Sequence, residues 1–540
     1  MTGPSTRRLH HPGGSRRTLN ARITAQVCVT AADRTIPFRS RTTVDPHSHP
    51  NRRTDMANFA SGITRRNFVR GAAGVASLAA MGGLAACSGG AGTEGGPQPV
   101  RTGPGPGGYR IDLGGYQGPE LTDKPVVLRF LRQSYSDEVN ALFASHYATF
   151  SKAYPNIKIE EELIPYGNLP QKIQIYTQSG DAPDIMMSRL DFTEYMSRSG
   201  QALNLTDYLT QAFLSDLFTP MREAGSSGGR LYLMPWEGYL PMVLFNREIF
   251  KRAGVPTPPE VDKLDDGWTV EQMFETMNAL THNLRKKGDT ATWALESSIL
   301  GNGGPGSNYT QYESIWIRNM GDRSAEKGSS LHSTWQGVSD NGLTVSGYLD
   351  TDEAIQGMRN YQRLFSEGLT PKSAIPAQFQ GAQAAMSMNS IRQILNRDKP
   401  GGASPFDVGV TLDPRRNMLF GCNSGDAPFV WAKSKHPNEA AALLAYLCSD
   451  ACQAPFFRSR GAFITRRSLV EKLEEYQKPD EQLALKVADN CDGAPRTVGW
   501  NEYYAAINPA VKDIALGADP EKTLRGTAKH IDDQLKKYHR

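Results

Sequence analysis

From Pro125 onward the chain alternates short apolar runs with longer stretches in which apolar residues recur at helical spacing. The run "PVVLRFL" has strand character, and "SDEVNALFASHYATFSKAYP" follows it with a helical apolar period behind Ser136 and Asp137, both good capping residues. "NIKIEEELI" reads as a second strand. "LPQKIQIYTQSG" reads as a second helix closed by Gly180, and "DIMMS" as a third strand. Strand, helix, strand, helix, strand is the order of a parallel sheet in an α/β fold. Farther on, "LPMVLFN" (residues 240–246) and "PFVWAKS" (residues 428–434) read as strands.

Two other textures precede this body. Residues 88–120, "SGGAGTEGGPQPVRTGPGPGGYRIDLGGYQGPE", are rich in Gly and Pro with almost nothing to bury, the composition of a flexible tether. Upstream, "TRRNFVRGAAGVASLAAMGGLAACSGG" places Arg65, Arg66 and Arg70 before an apolar segment (71–86) that ends in Leu84-Ala85-Ala86-Cys87. That is the pattern of an export signal. As a helix the segment would rise only about 24 Å, too little to span a bilayer. It also lacks the polar face of an amphipathic core helix.

Charge changes the picture once the leader is set aside. Residues 1–86 carry 13 Arg, no Lys and three acids, so the remainder holds 47 basic and 53 acidic residues, a formal charge of about −6. The overall +4 therefore says nothing about nucleic acid, and none is expected as a partner. Arg285-Lys286-Lys287 reads as a solvated helix end. A remainder of 454 residues exceeds what one core usually holds and predicts two lobes. Cys422, Cys448, Cys452 and Cys491 are an even number in an exported chain and read as disulfide-forming, with free buried thiols as the alternative. They lack the paired spacing of structural zinc, and no metal or cofactor is expected. In "DTDEA" (350–354), Asp or Thr before a helical run reads as an N-cap rather than a calcium loop. "NGGPGSN" (302–308) lacks the Lys-Ser or Lys-Thr of a phosphate loop.

Five stretches carry a family resemblance: "TQSGDAPDIMM" (177–187), "GGRLYLMPWEGYLPMVLFNREIFKRAGVPTPP" (228–259), "GAQAAMSMNS" (381–390), "WAKSKHPNEAAALLAYLCS" (431–449) and "GADPEKTLRGTA" (517–528). In this order they resemble the signature stretches of extracellular solute-binding proteins of ABC importers, family 1, the carbohydrate-binding, maltose-binding-protein-like branch. The resemblance runs from about Pro125 to the C-terminus. It implies an α/β, two-lobed periplasmic-binding-protein-like fold (type II), with lobes joined by hinge strands around a ligand cleft. Lobe I would comprise residues 121–239 plus 433–478, and lobe II residues 240–432 plus 479–540. Residues 240–246 and 428–434 fall where the family's chain crosses between lobes.

The leader has resemblances of its own. Thr64-Arg65-Arg66-Asn67-Phe68-Val69-Arg70 resembles the twin-arginine export motif, and Leu84-Ala85-Ala86-Cys87 the lipobox of bacterial lipoproteins. This implies a signal over residues 56–86 starting at Met56, lipidation of Cys87 and a tether over 87–120. Residues 1–55 then read as an over-extended translation start, the alternative being a genuine extension.

Carbohydrate recognition needs flat apolar faces beside planar polar groups. "PWEGY" offers Trp236, Glu237 and Tyr239 just before a crossing strand; packing of Trp236 into a lobe core is the alternative. Arg189 and Asp191 follow the third strand, at the strand end where open α/β sheets bind ligands, and Tyr135 holds the same place after the first. The resemblance assigns sugar contact to Asp191 and, less directly, to Arg189. Trp500 and Tyr503 in "TVGWNEYY" and Asn389 in "AMSMNS" complete the candidate set. Trp316 and Trp335 lie in a stretch, 301–347, that matches the family pattern poorly.

These readings point to a lipid-anchored receptor on the extracellular face of the bacterial membrane. It would be monomeric and without catalytic residues, capturing a carbohydrate for an ABC permease. The same fold could bind a polyamine or a glycerol phosphate. A glycoside hydrolase would need two carboxylates across a cleft, which Glu237 and Asp191 could supply on paper.

Overall fold

The computed structural model describes residues 105–540 apart from 239, 297–315, 374, 391–404, 415–424, 462 and 540. The leader, Cys87, Cys422, the 302–308 loop and Tyr239 lie outside these residues.

Two four-stranded sheets organise two lobes. In the first, β1 (Val126–Gln133) lies between β2 (Ile157–Ile164) and β3 (Ile185–Arg189) and is parallel to both. Its residues are buried on both faces toward the strand end, as a covered parallel strand requires. Helix α1 (Asp137–Ala153) starts at Ser136, whose side chain accepts from Val139 N, and buries Val139, Phe143, Tyr147 and Phe150 at helical spacing. Burial of Phe143 and Phe150 contributes roughly 1.5–3 kcal/mol each. Helix α2 (Leu169–Ser179) stops at Gly180, whose φ of 76° is the left-handed cap expected from the sequence.

The second sheet has the order β5 (Trp293–Leu295), β6 (Ala384–Ser390), β4 (Pro241–Asn246), β7 (Val408–Thr411), with β4 antiparallel to both neighbours. Its flanking helix α3 (Val270–Lys286) opens on a capping box between Thr269 and Gln272, and Lys286 and Lys287 at its far end are exposed. Thr351 caps helix α4 (Asp352–Ser366), its hydroxyl accepting from Ala354 N at 3.1 Å, so "DTDEA" is an N-cap. Trp316 packs between Phe274 and Tyr361 in this lobe's core.

The chain returns to the first sheet through β8 (Asp426–Val430), antiparallel to β3 with Asp426 opposite Arg189. The sequence places this strand at 428–434; it instead begins at Asp426 and ends at Val430. Trp431 leaves the ladder for an isolated bridge to Ala202. Helices α5 (Pro437–Leu447) and α6 (Asp450–Arg460) then cover the sheet, and α7 (Trp500–Ala515) and α8 (Pro520–Leu535) close the chain. Among the described residues no single helix is long and apolar enough to cross a membrane.

Composition extends the tether to residue 120, but from Gly105 the chain is docked on the first lobe. Gly107 N donates to Ala153 O at 3.0 Å, Gln117 N to Tyr208 O at 2.8 Å, and Leu113 and Tyr116 are buried. Glycine serves close approach here rather than flexibility: a Cβ on Gly107 would stand 2.2 Å from Lys152 O, and one on Gly114 1.9 Å from Ala445 O. The four cysteines do not all pair, since Cys448 and Cys452 are free, buried thiols. Cys491 is disulfide-bonded.

Candidate functional site

The carboxyl ends of β1, β2 and β3 and the amino end of antiparallel β8 meet along one edge of the first sheet. That edge is where an open α/β sheet leaves room for a ligand. It receives Gln133 and Tyr135 after β1, Tyr166 after β2, Arg189 and Asp191 after β3, and Asp426 at the start of β8.

Asp426 is the hub. It is buried, and its Oδ2 accepts from Tyr135 Oη at 2.6 Å and from Gln133 Nε2. Its carbonyl accepts from the backbone of Trp236 at 3.1 Å and Glu237 at 3.3 Å, which sets the segment before β4 against the first sheet. Burial, reinforced by the Asp426 and Glu237 carboxylates, lifts the Tyr135 hydroxyl far above its ordinary range, so it remains an O–H donor.

Two guanidinium–carboxylate pairs flank the hub. Arg460, at the end of α6, donates through Nε to Glu237 Oε2 at 3.1 Å and through Nη2 to Oε1 at 3.4 Å. Its guanidinium lies 4.4 Å above the Tyr135 ring. Arg189 donates through Nε to Asp191 Oδ1 at 3.1 Å and through Nη2 to Oδ2, with both side chains buried. Burial pulls Arg189 toward neutrality, but the Asp191 carboxylate outweighs it and holds the guanidinium charged.

Beside Arg189 a cavity of about 220 Å³ is lined by Tyr166, Leu169, Phe192, Tyr195, Asn501 and Tyr504 among others. The Arg189 guanidinium lies 5.7 Å from the Phe192 ring and 5.4 Å from the Tyr504 ring. Aromatic faces thus stand next to a fixed fork of donors, the combination that a ring bearing hydroxyls requires. A larger cavity of about 600 Å³ opens across residues 190–194, toward Trp335, Arg318 and the 489–496 segment. Two of its lining residues pair, Arg496 Nε meeting Glu194 Oε1 at 3.2 Å.

The candidate residues are distributed unevenly. Tyr135, Arg189, Asp191 and Glu237 come together at the sheet edge. Trp236 instead packs into the first lobe's core, stacked on Phe143 at 5.7 Å and edge-on to Phe456 at 5.3 Å. Trp500 and Tyr503 are likewise buried, stacked on one another at 5.3 Å beneath Phe192. They belong to the apolar stripe of α7, while Asn501 and Tyr504, one position on, face the cavity. Asn389 sits on β6 opposite Met242, its side chain outside the described set. Gln133, Asp426, Arg460, Tyr166 and Tyr504 were not anticipated. The aromatic-rich "WNEYY" carried a signal for Tyr504, but the choice of helix face went to its neighbours.

The profile of the bacterial extracellular solute-binding proteins matches residues 133–454. A binding protein of Brucella abortus (strain 2308) is 21% identical over 429 residues, 76% of this chain and 93% of the relative. Among solved structures, an ABC substrate-binding protein of Listeria monocytogenes in complex with cycloalternan is similar with a TM-score of 0.61 at 15% identity, over 76% of this chain and all of that one. The sugar-binding protein MalE of Xanthomonas citri is similar with a TM-score of 0.59 at 15% identity, over 76% and 98% of the two chains. The GacH receptor of Streptomyces glaucescens, solved unliganded and with acarbose, is similar with a TM-score of 0.57 at 18% identity, over 76% and 97%. At these identities the structural likenesses establish the two-lobed fold.

Proposed function

Because this chain belongs to the bacterial extracellular solute-binding proteins, we infer that it is the lipid-anchored receptor of an ABC importer and that its ligand is a carbohydrate. The observation that carries this reading is the edge of the first sheet, where the charges of Arg189 and Arg460 are compensated by Asp191 and Glu237 beside the faces of Tyr166, Phe192 and Tyr504. A compensated, hydrogen-bonding, aromatic-walled site suits a neutral polyol. A phosphate would call for cations not already paired, and a polyamine for carboxylates not already paired. Hydrolysis of a glycoside would need a carboxyl group able to donate a proton. Glu237 is held in a guanidinium fork instead, and Asp191, although burial raises its pKa, has both oxygens engaged by Arg189. The cycloalternan and acarbose complexes of similar proteins, and the sugar-binding character of MalE of Xanthomonas citri, support the sugar class.

Anchoring rests on the leader: the twin-arginine pattern around Arg65 and Arg66 and the small-residue approach to Cys87 support export followed by lipidation at that cysteine. Ligand that touches both lobes only when they close shifts the population toward the closed form, the state a permease would read. A thermal-shift screen of the protein against mono-, di- and oligosaccharides, glycerol phosphates and polyamines tests the ligand class, because a ligand confined to the folded state raises the melting temperature with its concentration. A shift with one sugar class, lost in Tyr504→Ala, supports the reading. A shift confined to polyamines or phosphates overturns it.

A further inference from the structure

Residues 105–124 form a strap whose course is set by close packing. It begins against the carboxyl end of α1, where Gly105 and Gly107 approach Ala153 O and Lys152 O too closely for any side chain. It passes Ala445 at Gly114, seats Tyr116 against Tyr208, and ends where Thr122 N donates to Glu439 Oε1 at 2.9 Å, just before β1. Ala153 ends α1 shortly before β2 begins at Ile157, so Gly105, the first described residue, lies at the amino-terminal edge of the first sheet. The candidate site occupies the opposite edge. Eight-residue strands separate the two edges by about 26 Å.

We propose that the strap fixes the point at which the membrane tether leaves the protein, on the side remote from the ligand site, and that the chain between Cys87 and Gly105 is a spacer whose length decides whether the site can turn toward the membrane. This rests on lipidation at Cys87. The spacer has 18 Cα-to-Cα steps, a reach of at most about 65 Å, enough to pass round the sheet. Had the whole stretch to residue 120 been tether, as composition suggests, the exit point would be unconstrained and the spacer nearly twice as long.

The test uses the full lipidated chain on vesicles of phosphatidylethanolamine and phosphatidylglycerol carrying an acceptor dye at the surface. A donor dye is placed in turn at two exposed positions of the edge strand β2, Lys158→Cys at its start and Leu163→Cys at its end. Deleting residues 92–103 leaves six steps, a reach of about 20 Å, shorter than the strands themselves. The expected result is that this deletion lowers energy transfer from position 163 relative to position 158 by about twofold or more, and that refilling the gap with twelve Gly/Ser residues restores the parent ratio. An unchanged ratio, or one that refilling does not restore, overturns the proposal. Limited proteolysis of the parent should cut before Gly105 and spare 105–124; cleavage within the strap also overturns it. Cys87→Ser separates the two readings: if it leaves vesicle attachment intact, the lipidation reading is what fails.

Discussion

The hydroxyl of Tyr135 donates to Asp426 across 2.6 Å, joining the end of β1 to a strand that enters the sheet 291 residues later. Its donor strength is preserved by the burial that keeps the phenol neutral. Tyr135→Phe keeps the ring beneath Arg460 but takes one donor from a buried carboxylate. We expect a loss of about 1–3 kcal/mol in urea denaturation and weaker ligand binding by calorimetry. Unchanged stability would mean that Asp426 finds a replacement donor.

Arg189 holds Asp191 with two of its nitrogens and lies between two rings, a geometry that needs a flat fork. Lysine keeps the charge and loses the plane. Arg189→Lys should raise the sugar dissociation constant by about tenfold or more while retaining a cooperative unfolding transition.

Neighbouring aromatics on α7 should behave oppositely. Tyr504→Ala removes a cavity wall and is expected to weaken binding by about tenfold with little change in stability. Trp500→Ala opens a hole in the core and should cost about 3–5 kcal/mol in denaturation. Equal effects on binding and stability from both would contradict the assignment of faces.

Asp413 is buried, among the described residues neither of its carboxylate oxygens has a hydrogen-bond partner, and burial pushes its pKa up to about 7. Unfolded, it titrates near 4, so the folded state binds the extra proton between about pH 4 and pH 7 and stability falls as pH rises through that window. Asp413→Asn should therefore raise the melting temperature at pH 7.5 and change it much less at pH 4.5. A gain of equal size at both pH values would rule out the buried carboxyl as its source.

Alkylation in denaturant without reductant, followed by peptide mapping, should label Cys448 and Cys452 and leave Cys491 unmodified. Label on Cys491 would contradict its disulfide.

The alternation of strands and helices in the first lobe was legible because each element carries its own signal: the Ser136 cap, the Gly180 stop, the apolar stripe of α1. Thr351 was legible for the same reason. What stayed hidden depends on distant partners. The strap has a linker's composition, and only the nearness of Lys152 and Ala445 makes its glycines obligatory. Asp426 belongs to no local motif, and its role exists because β8 crosses back beside β3. On α7 the sequence reports aromatic density, but the face each ring takes is fixed by Phe192 and the cavity above it.

The late return of β8 has a consequence in time. β3 is made by residue 189 but gains its outer neighbour only when residue 426 emerges, and at about 5–20 residues per second that interval is roughly 10–50 s. Throughout it the backbone of Ile185–Arg189 is an open sheet edge, the kind that pairs with stray strands. The hub of the site appears in the same moment that edge closes, so a ribosome-bound chain can have neither a safe first lobe nor a working pocket until the last quarter of the protein is being synthesised.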